Sequence, residues 1–424
     1  MAVTAVKYTY KRAALSKAAI SSYVVGFFCL VALHSDVGLA SGGARLPSVL
    51  AIALLFVLAK YARPTTSLLI FWVVLAVATL LSYITSDSSQ PDQKLYSSTA
   101  QMAFCAYFSL ILFRWAVNVN YEQLRVAISK GLIFYVALVI LEWGGVLTGI
   151  SNSFGEYFYS GDVGFTYYGL NEYAIARDQG LSGWRRPTVF SPEPSIAALT
   201  FSVLCIAYAL IHRHKRARLV SYSLLLFAWY IFNSPTPVIA ILVIAVINFS
   251  ETKSPTRKFL ASLMLVIAAL AISPLIAERI SRITTEAGGL ETTSEGIRIA
   301  LPIINAVGNF FHGNFFGASP GAQFDPDLVS KLNPLSSPVF GTNGFALLLF
   351  YFGPFVMPLL IFLYWRIFRR SRYFPAEMSW VNPAIIALFL SFSLGSYESV
   401  RLLGYWALLT ACLIVRNLKK NDQR

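Results

Sequence analysis

Long apolar runs separated by short polar stretches fill the chain from about residue 15 onward. They fall at 15–34, 47–62, 66–85, 97–116, 131–150, 195–212, 219–233, 236–250, 259–276, 343–365, 381–397 and 402–415. Most approach the roughly 20 residues that a helix needs to cross a hydrocarbon core about 30 Å thick. The pattern predicts an all-α, polytopic membrane helix bundle of about 12 spans, one integral membrane domain over 1–424. No small-residue cleavage pattern follows the first run, which reads as a retained first span. The segment Asn233-Ser234-Pro235-Thr236-Pro237 holds two prolines in five residues and predicts a tight hairpin, with a re-entrant pair as the alternative. Basic clusters on both flanks require an even number of crossings and favour the hairpin.

Two inter-span stretches are long enough to carry structure. The first, 151–194, is rich in aromatics (Tyr157, Tyr159, Phe165, Tyr167, Tyr168, Tyr173) and ends in Gly183-Trp184-Arg185-Arg186-Pro187. The second, 277–342, places Ile297, Ala300, Leu301, Ile304, Val307 and Phe311 at helical spacing. This predicts a short amphipathic helix over about 294–311, capped by Ser294, with one face on the membrane or the bundle. Loops of this length are functional or disordered, and the aromatic content argues for order.

Composition sharpens the class. Of the 424 residues, 56% are hydrophobic and 13% charged, against about 25% charged in a soluble protein. The net charge of +14 would suit nucleic acid, but its placement argues for topology instead. Most Lys and Arg crowd alternate stretches: Lys7 to Lys17, Lys60 and Arg63, Arg114 to Lys130, Arg213 to Arg218, Lys253 to Lys258, Arg366 to Arg372 and the C-terminal tail. By the positive-inside rule these face the cytoplasm, together with both termini, and the two long loops lie outside. Such a basic inner surface is attracted to anionic lipid. Cys29, Cys105, Cys205 and Cys412 all sit within apolar runs, without metal or redox spacing, and read as buried small hydrophobes.

Outer arginines run against this bias. Nearly all of them fall on the two long loops: Arg177, Arg185 and Arg186 on the first and Arg279, Arg282 and Arg298 on the second. The planar donor fork of Arg suits phosphate, binding two oxygens at once. Arg279 and Arg282 are accounted for by pairing with Glu278, Glu286, Glu291 and Glu295. For Arg186 and Arg298, beside apolar segments, pairing and ligand binding both stand open. Glu193, in Ser191-Pro192-Glu193-Pro194-Ser195, is either a helix-start acid on the positive end of a dipole or a carboxylate that deprotonates a hydroxyl, two compatible roles. Glu142 lies inside a span, where an ionisable side chain is a functional candidate, although Trp143 beside it suggests snorkelling at the interface. Glu398 and Arg401 read as a structural pair. His312 is the one histidine on a long outer loop and has no carboxylate cluster with which to form a metal site.

The run Arg185-Arg186-Pro187-Thr188-Val189-Phe190-Ser191-Pro192-Glu193-Pro194-Ser195 resembles the Arg, Phe and Glu-Pro-Ser element of Wzy-type O-antigen and exopolysaccharide polymerases, which leads into a span as it does here. Arg298, an amphipathic stretch and Asn314-Phe315-Phe316-Gly317-Ala318-Ser319-Pro320-Gly321 resemble the second-loop pattern shared with O-antigen ligases. Gly341-Thr342-Asn343-Gly344, followed by Gly353, resembles the His-Asn and Gly pattern at the start of the following helix. Ligases typically carry His before that Asn, and Thr342 here favours the polymerase over the ligase.

The resemblance implies a GT-C-type transferase in the bacterial inner membrane, acting on undecaprenyl-diphosphate-linked glycans as donor and acceptor at the outer leaflet, with its active site in the periplasm. Fixed Arg donors would stabilise the charge developing on the diphosphate leaving group, so the chemistry needs no metal and no cofactor. In this reading Glu193, Arg298 and Arg186 are catalytic. Arg185, Arg177, Trp184, His312 and Asn343 bind substrate. A chain-length regulator and a flippase are the accompanying proteins. The alternatives are a ligase with a lipid A-core acceptor and a lipid-linked oligosaccharide flippase or transporter. A transporter would be expected to carry charge deep in several helices.

Overall fold

The computed structural model describes residues 38–39, 52, 55–56, 58–86, 92–119, 121–149, 165–166, 186–189, 194–212, 214–250, 300–332, 340, 343–369, 381–393 and 400–421. Among them it is helical. Eleven α-helices run in chain order: α1 Thr66–Thr85, α2 Asp92–Asn118, α3 Tyr121–Leu147, α4 Pro194–Ile211, α5 Lys215–Phe232, α6 Thr236–Ser250, α7 Leu301–Phe311, α8 Pro326–Leu332, α9 Gly344–Arg369, α10 Val381–Ser393 and α11 Val400–Asn421. The extended structure is one two-residue antiparallel pairing, Gly38–Leu39 with Phe165–Thr166.

Among the described residues five helices are long and apolar enough to cross a bilayer: α1, α2 from Leu95, α3, α4 and α9. The chain is therefore a membrane-embedded helical protein. Helices α6, α7 and α10, and the stretch Leu402–Arg416 of α11, are apolar but shorter. Helix α5 has Lys215, Arg216 and Arg218 in its first turn, so its apolar part begins only after them. The expected spans at 15–34 and 259–276 lie outside the described residues, and that at 47–62 does so in part. The expected hairpin appears as a three-residue turn between α5 and α6, where Asn233 takes a left-handed conformation (φ 43°).

The chain divides into two compact units: residues 1–62, 111–244 and 407–424, and residues 63–110 and 245–406. In the first, α4 packs between α3 and α5. It is buried almost all round, from Ala197 to Ile211, as expected of an apolar helix surrounded by protein. Its carbonyls receive side-chain bonds from both neighbours: Tyr135 Oη to Ala197 O (3.3 Å), Tyr121 Oη to Ile211 O (2.9 Å) and Ser221 Oγ to Cys205 O (3.1 Å). Phe201 meets Tyr135 and Phe232 edge-on. In the second unit, α1 packs on α9. Thr65 caps α1 by accepting from Leu68 N (3.2 Å). Its buried positions Leu68, Phe71, Leu75, Ala78 and Ser82 alternate with exposed Val73, Val77, Leu80 and Ile84 at helical spacing, so one face is left to lipid. Ser109 Oγ and Tyr364 Oη, 2.9 Å apart, tie α2 to α9.

Candidate functional site

The first unit holds a buried polar knot at the end of α3. Glu142 is fully buried. Its Oε1 accepts from Thr188 N (3.1 Å) and Thr188 Oγ1 (3.2 Å), and its Oε2 accepts from Val189 N (2.7 Å). Snorkelling toward the interface is thereby replaced by a different function. The carboxylate reaches across 46 residues of sequence to clamp the returning end of the first long loop. A carboxylate out of water costs several kcal/mol unless its oxygens are bonded, and here three donors meet two oxygens. The donors in turn demand an unusual backbone: Val189 has φ 45°, a left-handed conformation that a β-branched residue rarely adopts. Strain of this kind costs roughly 1–3 kcal/mol and persists where surrounding bonds overdetermine it.

Arg186, three residues before Val189, is anchored in the same unit. It is only 6% exposed, and its Nη1 donates to Phe232 O (3.0 Å) and weakly to Asn233 O (3.5 Å). These are carbonyls at the C-terminal end of α5, where the helix dipole favours a cation. The segment 186–189 is thus held from two sides, by the acid of α3 and by the end of α5, five residues before α4 begins at Pro194. The sequence marked Glu142 as notable but could not name its partners.

The second unit contains the expected amphipathic helix as α7. It begins at Leu301 with Pro302 in its first turn, and Ser294 lies outside the described residues. Asn309 Nδ2 donates to Phe350 O (3.1 Å), and Asn309 Oδ1 accepts from Asn314 Nδ2 (2.7 Å). Helix α9 is broken at Gly353, whose φ of 66° and ψ of 175° are open essentially to glycine alone. Pro354 cannot donate to Phe350 O, so that carbonyl is released from the helix. It is taken by Ala318 N (2.8 Å) as well as by Asn309, and Tyr351 O receives Ser319 N (3.3 Å). The fit is close: a Cβ on Gly317 would lie 2.2 Å from Tyr351 O, and one on Gly353 would lie 2.0 Å from Phe315 O. Tyr351 Oη adds a short bond to Gln323.

This arrangement gives two of the expected binding residues local tasks. Asn343 is fully buried and caps α9, its Oδ1 accepting from Ala346 N (3.1 Å). His312 is exposed at the end of α7, with Nδ1 2.8 Å from Gly308 O, a distance that puts the proton on Nδ1. Glu193, Arg298, Arg185, Arg177 and Trp184, with Glu398 and the Arg401 side chain, lie outside the described residues. Cys105, Cys205 and Cys412 are buried free thiols, and Cys29 is outside the described residues.

A further titratable group sits just beyond α4. The half-buried His212 ring lies with Nδ1 3.1 Å from Tyr208 O and Nε2 3.3 Å from Ser129 Oγ. Burial pushes its pKa below the ordinary value, and Arg125 and His214 push the same way; the Tyr208 carbonyl and Glu122 oppose them. Glu122 is itself paired with Arg125 at 2.6 Å.

Comparison of the chain with protein-family models, curated proteins and solved structures gave no match.

Proposed function

We propose that the chain is a polymerase of polyprenyl-diphosphate-linked oligosaccharide repeat units, a GT-C-type transferase of about a dozen crossings with its reaction at the outer leaflet. The observation that carries this reading is the fixing of the Arg186-Pro187-Thr188-Val189 segment by Glu142 and the end of α5. It fixes residues 186–189, the described part of the element whose sequence resembles that of the polymerases. Preorganised donors are what a diphosphate leaving group requires.

In the reaction, a hydroxyl oxygen of the incoming lipid-linked unit attacks the anomeric carbon of the growing chain. The bond from that carbon to the diphosphate oxygen breaks, and polyprenyl diphosphate departs with the electron pair. Glu193 takes the hydroxyl proton and Arg298 stabilises the charge on the leaving group, while Arg186, whose Nη1 donates to the Phe232 and Asn233 carbonyls, holds the segment that leads to Glu193. Trp184, Arg185 and Arg177 bind substrate, with Arg185 on the diphosphate, and undecaprenyl is the carrier chain. The chain works in the bacterial inner membrane alongside a flippase and a chain-length regulator.

The break in α9 is the kind of feature on which a transporter builds an ion site. Its released carbonyls are already bonded to Asn309, Ala318 and Ser319, which weighs against that use. Glycan from a deletion strain, resolved by chain length, tests the proposal. The expected result is a single repeat unit on the acceptor with no ladder. Polymer retained on the lipid carrier would mean a ligase, and an unchanged ladder would sink both readings. In complemented strains, Arg298→Ala is expected to abolish the ladder while the protein still accumulates in the membrane.

A further inference from the structure

The exposed side of α7 is apolar. Ile303 (41%), Val307 (40%) and Phe311 (79%) stand one and two turns apart on it, with Phe310 beside them, whereas Leu301, Asn305, Ala306 and Asn309 are buried. The buried side rests on α9 and α8. An 11-residue helix spans about 16 Å and cannot cross a bilayer. The apolar surface does not end at the helix. Rings run from Phe311 to Phe310 (5.7 Å), on to Phe315 (5.4 Å) and then to Phe355 of α9 (6.3 Å). Phe355 (67% exposed) starts a stripe with Leu359 and Phe362 along a helix long and apolar enough to cross the membrane, so its surroundings are acyl chains.

Position along α9 sets the depth. Arg366 and Arg369 close its last turn and belong at a polar interface. Phe355 lies eleven residues before Arg366, about 17 Å along the axis. The break at Gly353 and the turn bonded to Phe350 and Tyr351 lie only a few ångströms further on. That level is still inside a hydrocarbon core about 30 Å thick. Irregular backbone is tolerated at such depth only when bonded within the protein. The bonds of Ala318, Ser319 and Asn309 to the α9 carbonyls meet that condition.

We infer that α7 and the turn after it, residues 301–319, form an interfacial re-entrant segment sunk into the leaflet opposite Arg366 and Arg369. There Val307, Phe311 and Phe315 are in contact with lipid chains, and this part of the second long loop is not a loop in water. The inference does not depend on the reaction proposed above. Amphipathic helices of this kind bury their apolar face about 5–10 Å below the headgroups.

Site-directed spin labelling of the full chain in bilayer nanodiscs tests it. Phe311→Cys and Val307→Cys are labelled on a Cys29→Ser background, because the other three thiols are buried, and Phe355→Cys serves as the deep reference. The expected result is oxygen collision dominating over that of a water-soluble nickel chelate, with an immersion depth of about 5–10 Å and a greater depth at Phe355. Nickel collision rates typical of a water-exposed loop would overturn the inference. So would low access to both relaxants with dipolar broadening, which would mean that a second copy covers the face. If Phe311→Cys fails to fold, Val307→Cys, one turn earlier, decides the question alone.

Discussion

At the scale of the residue, what holds this protein in place is out of proportion to what its sequence displays. Glu142 turns a carboxylate that lipid would expel into the acceptor for three donors of a distant segment. Glu142→Gln exchanges one of its oxygens for an NH2 group that faces N–H donors. It is expected to cost about 1–3 kcal/mol and to lower the thermal midpoint of the purified protein in detergent. Glu142→Ala strips all three donors and should cost more. An unchanged midpoint in both variants would remove the clamp from the folding energetics. His212 contributes a pH dependence. Its folded-state pKa lies below the unfolded value, so stability is full above the unfolded value of about 6.5 and falls as pH drops below it, because the unfolded chain takes up the proton first. Thermal midpoints measured between about pH 8 and pH 5 should therefore fall in the native protein, and His212→Gln should flatten the curve over that range.

At the scale of the element, the two glycines at the α9 break are required by different constraints that meet in one place. Gly353 adopts a conformation closed to other residues, and Gly317 leaves no room for a side chain against Tyr351. Gly353→Ala and Gly317→Ala are each expected to destabilise by on the order of 3 kcal/mol or more, read as loss of folded protein in size-exclusion chromatography. Gly144→Ala in α3 is the contrast. Nothing lies within 4 Å of its Cβ position, so the helix preference for Ala should make it neutral or stabilising by about 0.5–1 kcal/mol. Element boundaries were largely legible beforehand. The runs at 66–85 and 236–250 coincide with α1 and α6 at both ends, because lipid demands unbroken apolar length and Thr65 and Pro235 punctuate it. The amphipathic stretch appeared as α7 from its helical spacing. The knot at Thr188 and Val189 and the capture of the Phe350 carbonyl were not legible. Both are contacts across more than 30 residues, and neither leaves a periodic trace in the local sequence. The motif marks Asn343 as a binding residue; the same polar side chain before Gly344 is also an N-cap signal, and its Oδ1 caps α9.

At the scale of the whole molecule, charge placement and hydropathy make a joint claim about orientation. In the proposed topology the basic groups at Arg213 to Arg218, Lys253 to Lys258, Arg366 to Arg372 and the C-terminal tail share one face of the membrane, because moving several cations through hydrocarbon during insertion is far costlier than leaving them on the side of synthesis. The proposed topology therefore predicts the behaviour of two fusions in a bacterial host. Alkaline phosphatase joined after Lys420 should be inactive while a fluorescent protein at that site is bright, and phosphatase inserted at Gly161 should be active. The two positions test different things. Gly161 reports the first long loop, and so the side on which Arg186 and the proposed diphosphate chemistry would work. Lys420 reports the parity of the crossings after that loop, to which the α5–α6 hairpin contributes an even number. Active phosphatase at both sites would mean an odd crossing was missed between them and would leave the side assigned to Arg186 standing. Inactive phosphatase at Gly161 would put the Arg186 segment on the cytoplasmic side, and the proposal of outer-leaflet polymerisation would fall with it.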